Sequence, residues 1–312
     1  MFRKHLIAVT LLTEAITCAA LMAQPVDWVT DVEEGMGKAK GLGVPVLFYL
    51  DTAEKDAADS GDAQERSFAD GVVSTIVRER FVPVRLRKSA TTEVMLKQLE
   101  AKEVTPFTVL VATPRGHLVG TIPASQVAKP DTFADQLAAM FRKYRTSVFE
   151  RNLKPTLEDQ SAKADQLIEA LKVIEELLIV EADSSVLQLL DRKQLSEDAR
   201  ERAYQTLAVL STKPTVEALL AAAPGDEAAA AALSKCTPDA AEVLLPKLDP
   251  AKPDVAILVY KAVTRICKVD ALKPELFMED APQEAQRQEI ERVKRAVTQA
   301  AHRWREEHKA VR

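Results

Sequence analysis

Thiols are the groups in this sequence best suited to covalent chemistry, and their spacing limits what that chemistry can be. The 312-residue chain contains three cysteines, Cys18, Cys236 and Cys267. Cys18 falls in an N-terminal apolar run. Cys236 and Cys267 stand thirty-one residues apart, too far for a C-x-x-C redox pair and too few for a four-cysteine zinc site. Two readings of them stay open: a disulfide formed in an oxidising compartment, or two separately buried thiols acting as small hydrophobes. Histidine offers little more, since beyond the apolar run only His117, His302 and His308 remain, and no metal triad can be drawn from them. The acidic residues Asp51, Glu54, Asp56, Asp59, Asp62 and Glu65 carry charge enough for Ca²⁺. Their stretch from Asp56 to Asp62 lacks the alternate-residue ligand spacing of an EF-hand, however, and Ser67 stands where its terminal Glu belongs, so it is read as a solvated, acid-rich helix start. There is no P-loop, no G-x-G-x-x-G and no G-x-S-x-G. The residues call for no cofactor and no metal.

The elements that would position any site change character along the chain. From 26 to 150, helices alternate with short β-branched strands. Asp31 is placed to cap a helix running to Lys40, and the apolar run Pro45 to Leu50 follows as a strand buried on both faces. Phe68, Val72, Ile76 and Val77 fall on one face of a helix. Phe81 to Leu86 is a second strand, put at a sheet edge by Pro83, which cannot donate to a ladder. A helix over 92–102 leads to a hairpin of Thr105 to Ala112 and His117 to Ile122, and a helix from Asp131 carries Phe133, Leu137, Met140 and Phe141. Strands separated by helices imply parallel pairing, and the hairpin makes the sheet mixed.

From 156 to 312 the pattern is helical throughout. Three segments end alike, in Leu189-Leu190, Leu219-Leu220 and Leu244-Leu245, with Ala271 to Phe277 as a divergent fourth copy, and a short apolar helix precedes each. Paired short helices that recur in this way mark an α-solenoid, with an irregular helical bundle as the other reading. Asn152 to Thr156, with Pro155, is the expected domain boundary. The last helix puts Ile290, Val293, Val297, Ala301 and Trp304 on one face, as a terminal cap would. Only 9 glycines fit this helical bias, and a net charge of −5 gives no general pull toward nucleic acid. Residues 1–23 have the basic start, apolar stretch and small-residue end of a secretory signal, with cleavage after Ala23 or Ala20, so the protein is expected in the periplasm or secreted, with no membrane contact beyond that segment. An uncleaved anchor and a lipid on Cys18 are the other readings.

Trp28, Asp31, Ala39-Lys40 and Pro45 to Phe48, then Ser67 to Asp70, Phe81 to Val84 and Val104 to Leu110, together resemble the secreted bacterial thioredoxin-like proteins in order and spacing, over about 40% of the chain. The remainder resembles HEAT/armadillo-like helical repeats. The first resemblance implies an α/β thioredoxin-like domain at 26–150, followed by an all-α repeat domain at 156–312. It implies that a C-x-x-C would occupy Ala57, Ala58, Asp59 and Ser60, where no thiol exists. Alanine has nothing to attack with, and the Ser60 hydroxyl, without a base, cannot exchange disulfides. It further implies a cis Thr105–Pro106 bond in a loop that would receive an extended peptide. The expected function is that of a redox-inactive protein-binding or scaffold module with a protein or peptide partner. The alternatives are an accessory substrate-binding subunit for an oxidoreductase that supplies the cysteines, and an unrecognised hydrolase.

Overall fold

The computed structural model of the chain describes residues 25–51, 58–87, 89–101, 104–271 and 282–307. The N-terminal run 1–23, Ala57 and the body of the fourth repeat copy lie outside the described residues. Asp31 caps α1 (Val32–Leu42) as its position predicts, its carboxylate accepting from the Glu34 amide at 2.7 Å, and Gly43 ends the helix at φ 69°. β1 (Val46–Asp51) follows, and its first four residues are at most 1% exposed. Next come α2 (Ala58–Ala69), α3 (Gly71–Arg80), β2 (Val82–Arg87) and α4 (Ala90–Gln98), then β3 (Val109–Ala112), β4 (Leu118–Ile122), α5 (Ala124–Val127) and α6 (Pro130–Val148).

These strands form a mixed sheet in the order β2-β1-β3-β4, with β1 parallel to β2 and antiparallel to β3, and β3 antiparallel to β4. Val29 adds a parallel bridge to Val84 outside β2. There the Pro83 carbonyl accepts from the Val29 amide at 2.9 Å while Val82 donates inward to Pro45, so the missing proline N–H faces the outer edge. Strand alternation divides the sheet's side chains. Val46, Phe48, Val82, Val84, Leu86, Leu110 and Ala112 pack with residues of α1 and α4, while Leu47, Tyr49, Val109 and Val111 pack with residues of α2, α3 and α6. Gly35 lets α1 lie directly on β2, because a Cβ there would collide with Val84.

The structure places one strand start differently from the sequence reading. β3 begins at Val109 rather than Thr105, because Thr105 to Thr108 form a turn.

Beyond α6 the backbone stays helical through a π-turn, Phe149–Leu153, into α7 (Lys154–Glu158). The expected boundary at 152–156 is therefore helical, and Pro155 sits directly after the π-turn, in the first turn of α7. The remaining helices are α8 (Ala164–Glu176), α9 (Asp183–Leu190), α10 (Glu197–Leu210), α11 (Lys213–Ala222), α12 (Glu227–Leu233), α13 (Pro238–Leu244), α14 (Pro253–Ile266) and α15 (Gln283–Glu307). They pack in two layers: α8, α10, α12 and α14 neighbour one another in order, as do α7, α9, α11, α13 and α15. Leu189, Leu219 and Leu244 are buried at equivalent places, and each following leucine is half-buried. α15 seats Ile290, Val293, Val297 and Ala301 inward, and α13 is its main neighbour.

A single apolar core runs from the sheet through α6, Phe149 and Leu153 into the helical layers. Arg145 fastens the junction: it donates to the Leu178 carbonyl at 2.8 Å and pairs with Glu181 at 3.2 Å.

Continuity of that core predicts coupled unfolding. With Trp304→Phe, Trp28 is the sole tryptophan and reports on the sheet. Leu171→Ala, which truncates a fully buried α8 side chain, is expected to cost about 2–5 kcal/mol. It should shift the Trp28 fluorescence midpoint together with the far-UV helical signal; a Trp28 midpoint that stays put would show two independent units.

Candidate functional site

Register and alternation build a cluster at the β2 edge of the sheet. Tyr49 of β1 lies directly beside Arg85 of β2. The Val29 bridge brings Trp28 to the far side of Arg85, whose guanidinium sits 5.3 Å from the Trp28 ring centre and 5.5 Å from that of Tyr49. Phe68 of α2 packs edge-on against both rings at 4.9 Å, and Phe107 and Phe133 extend the aromatic patch. Glu65, also on α2, pairs with Arg85, and the Asp51 carboxylate lies 3.8 Å from Arg85 Nε. The arginine is thus neutralised by two carboxylates and covered by two rings, which makes it a tie between strands and helix. The Tyr49 hydroxyl is sealed in and has no hydrogen-bond partner among the described residues. Burial, reinforced by Glu65 and Asp51, pushes its pKa up, so it stays protonated.

Sequence reading missed this cluster apart from Trp28. The signal it offered was Arg85, a cation inside an otherwise apolar strand, but only the register shows which rings flank it.

The degenerate dithiol positions open the helix that carries Glu65: Ala58, Asp59 and Ser60 are the first three residues of α2, and Ala57 lies outside the described residues.

The expected cis bond is a correction. Thr105–Pro106 is trans. Thr108 N–H donates to the Thr105 carbonyl, and Phe107 takes a left-handed φ of 64°. That is the pattern of a type II turn with proline at its second position, whereas a cis proline belongs at the third position of a type VI turn. Left-handed backbone at a bulky aromatic costs about 1–3 kcal/mol. It is held there by a 2.8 Å bond from Phe107 N–H to the Leu50 carbonyl and by burial of the Phe107 ring near Tyr49. Thr105 and Pro106 remain exposed, yet the loop lacks the cis geometry on which peptide capture was expected to rest.

Both remaining cysteines are free. Burial pushes the Cys236 thiol up to about 12, against an opposing hydrogen bond with Ser211, and pushes Cys267 up to about 11 with help from Glu242. Neither forms thiolate at neutral pH. Among the described residues no three His, Cys, Asp or Glu side chains converge as metal ligands, and no helix is long and apolar enough to cross a membrane.

The helical layers carry several concavities. A groove of about 930 Å³ between α12 and α14 is lined by Leu233, Ile257, Leu258 and Ala262, with Glu227, Asp254, Lys261 and Arg265 among its charged residues. A second, more polar one of about 550 Å³ lies around Gln188, Lys193 and Ser196. Its Arg192 is occupied, donating to the Asp159 carbonyl at 2.9 Å and to that of Leu157. No protein-family model matches the chain, and no curated protein matches it.

The unpaired Tyr49 hydroxyl yields a test of the aromatic cluster. Tyr49→Phe removes a buried group without a partner, so stability in denaturant is expected to hold or rise by up to about 1 kcal/mol. A loss exceeding about 1 kcal/mol would mean that the hydroxyl is bonded to Glu65.

Proposed function

We propose that this is an exported, redox-inactive thioredoxin-like protein whose helical-repeat portion binds a protein partner. The groove between α12 and α14 carries the reading: apolar side chains line it with charges of both signs, the chemistry that receives an amphipathic segment. Support for the thioredoxin-like part comes from connectivity. With Val29 counted, the order is Val29-β2-β1-β3-β4, the first two pairings parallel and the last two antiparallel, with helices on both faces. Support for redox inactivity is chemical, since positions 57–60 hold no thiol and Cys236 and Cys267 lie in the helical portion, held protonated. The two ordered layers favour a repeat stack over an irregular bundle.

Two measurements test this reading. The protein as it stands is expected to leave insulin disulfides intact, and the double substitution Ala57→Cys with Ser60→Cys is expected to confer measurable insulin reduction. Failure of the double variant to gain activity would remove the thioredoxin-like assignment of α2. Separately, a photo-crosslinking side chain in place of Leu258 is expected to trap a partner in the cell envelope, while one in place of the exposed Val94 on α4 is not. Equal yields at the two positions would sink the groove as the binding surface.

A further inference from the structure

The groove between α12 and α14 has a direction. Glu227, Ala231 and Ser234 stand along its α12 wall, and Asp254, Leu258, Lys261 and Arg265 along its α14 wall. Their spacing of three or four residues marks one face followed along each helix. From Asp254 to Arg265 that face runs about 16 Å, or three helical turns. Both helices start at the same end of the groove, because Pro224, on the turn into α12, lines one hollow with Lys252 and Val255 at the start of α14. Glu227 and Asp254 therefore stand at one end of the groove, and Lys261 and Arg265 toward the other. Ile257 and Leu258 lie half-buried between them. All four charged side chains are exposed, and among the described residues none has an ion pair.

We propose that the partner of this groove is an amphipathic α-helix with an acidic first turn and a basic last turn, lying antiparallel to α12 and α14. The proposal rests on the groove being the binding surface and adds the partner's class and direction. Helices ordinarily carry acidic residues at the start and basic ones at the end, because these offset the helix's own terminal charges. Laid antiparallel, such a helix brings its acidic turn to Lys261 and Arg265 and its basic turn to Glu227 and Asp254. Its apolar side chains at i, i+3, i+4 and i+7 then meet Ile257 and Leu258. Laid parallel, the same helix sets like charges together at both ends, so the groove rejects that direction. The small side chains of Ala230 and Ala231 on the α12 wall let an incoming helix come close.

The probe is a synthetic peptide of about 14 residues, long enough to follow the groove. It is stapled as a helix and carries a leucine stripe, aspartates in its first turn, lysines in its last, and a photo-crosslinker at one end or the other. The full chain is expected to bind it saturably by fluorescence anisotropy, more weakly as salt screens the end charges. Crosslinks from the acidic end should map by mass spectrometry to the Lys261–Arg265 stretch, and those from the basic end to the segments holding Glu227 and Asp254. A variant carrying Glu227→Lys, Asp254→Lys, Lys261→Glu and Arg265→Glu alters only exposed side chains and should exchange the two maps. Maps that are the same for both ends, or that the charge-swapped variant leaves unchanged, would overturn the direction. No saturable binding would overturn the helical partner, and if Leu258 still crosslinks a partner in the cell envelope, the groove stands and only the class of its occupant falls. Leu258→Asp, with its far-UV helical signal unchanged, should lower peptide affinity at least about tenfold, since it buries a charge in the apolar floor. Binding that survives this substitution would overturn the groove itself.

Discussion

Helix α6 and its continuation carry an apolar stripe at Phe133, Leu137, Phe141, Phe149, Leu153 and Leu157, and the burial of that stripe joins the whole molecule. Its members recur at multiples of four residues, wider than the 3.6-residue turn of an α-helix, so an unbroken α-helix would carry the later ones progressively off the face. The π-turn at Phe149–Leu153 lengthens the local repeat and keeps Phe149, Leu153 and Leu157 directed into the core as the chain passes from sheet to helical layers. Arg145 occupies the one position in that series that is not apolar, and it is buried there because the Leu178 carbonyl and Glu181 meet its donors. The sheet and the helical layers therefore share a core through one continuous helical path.

The parts of this architecture legible in the sequence were those that local chemistry decides. Asp31 signals a cap, Pro83 signals an edge, and the recurring leucine pairs signal equivalent helices, because each depends on a hydrogen bond or a periodicity confined to a few neighbours. The turn at Thr105 was illegible for the same reason. Thr-Pro-Phe-Thr-Val consists of residues that favour extended chain, and a type II turn ordinarily announces itself with glycine at the position Phe107 fills. Tertiary contacts with Leu50 and Tyr49 override that preference, and they are visible only when β1 is in place.

The candidate site was less legible than the fold. Trp28, Tyr49 and Arg85 lie on three separate stretches of chain, and their stacking follows from a parallel register that pairs Tyr49 with Arg85 and a lone bridge that adds Trp28. No spacing rule in the sequence encodes that register. It arises from which faces of β1 and β2 must be buried, since a one-residue slip would turn Arg85 toward the α1 face and Val84 away from it.

The two arginines on this side of the sheet are held in different ways. Arg85 is enclosed by rings and met by Glu65 and Asp51, while its Nε is buried without a hydrogen-bond partner among the described residues. Arg80 has a single ring beneath it, that of Phe141. Strand β1 and helix α2 together set the first arrangement, since Asp51 and Glu65 come from them. The second arises where α3 ends against α6, at the helix that carries the shared core onward, so the same packing that joins the two portions of the chain seats Arg80 on the Phe141 ring.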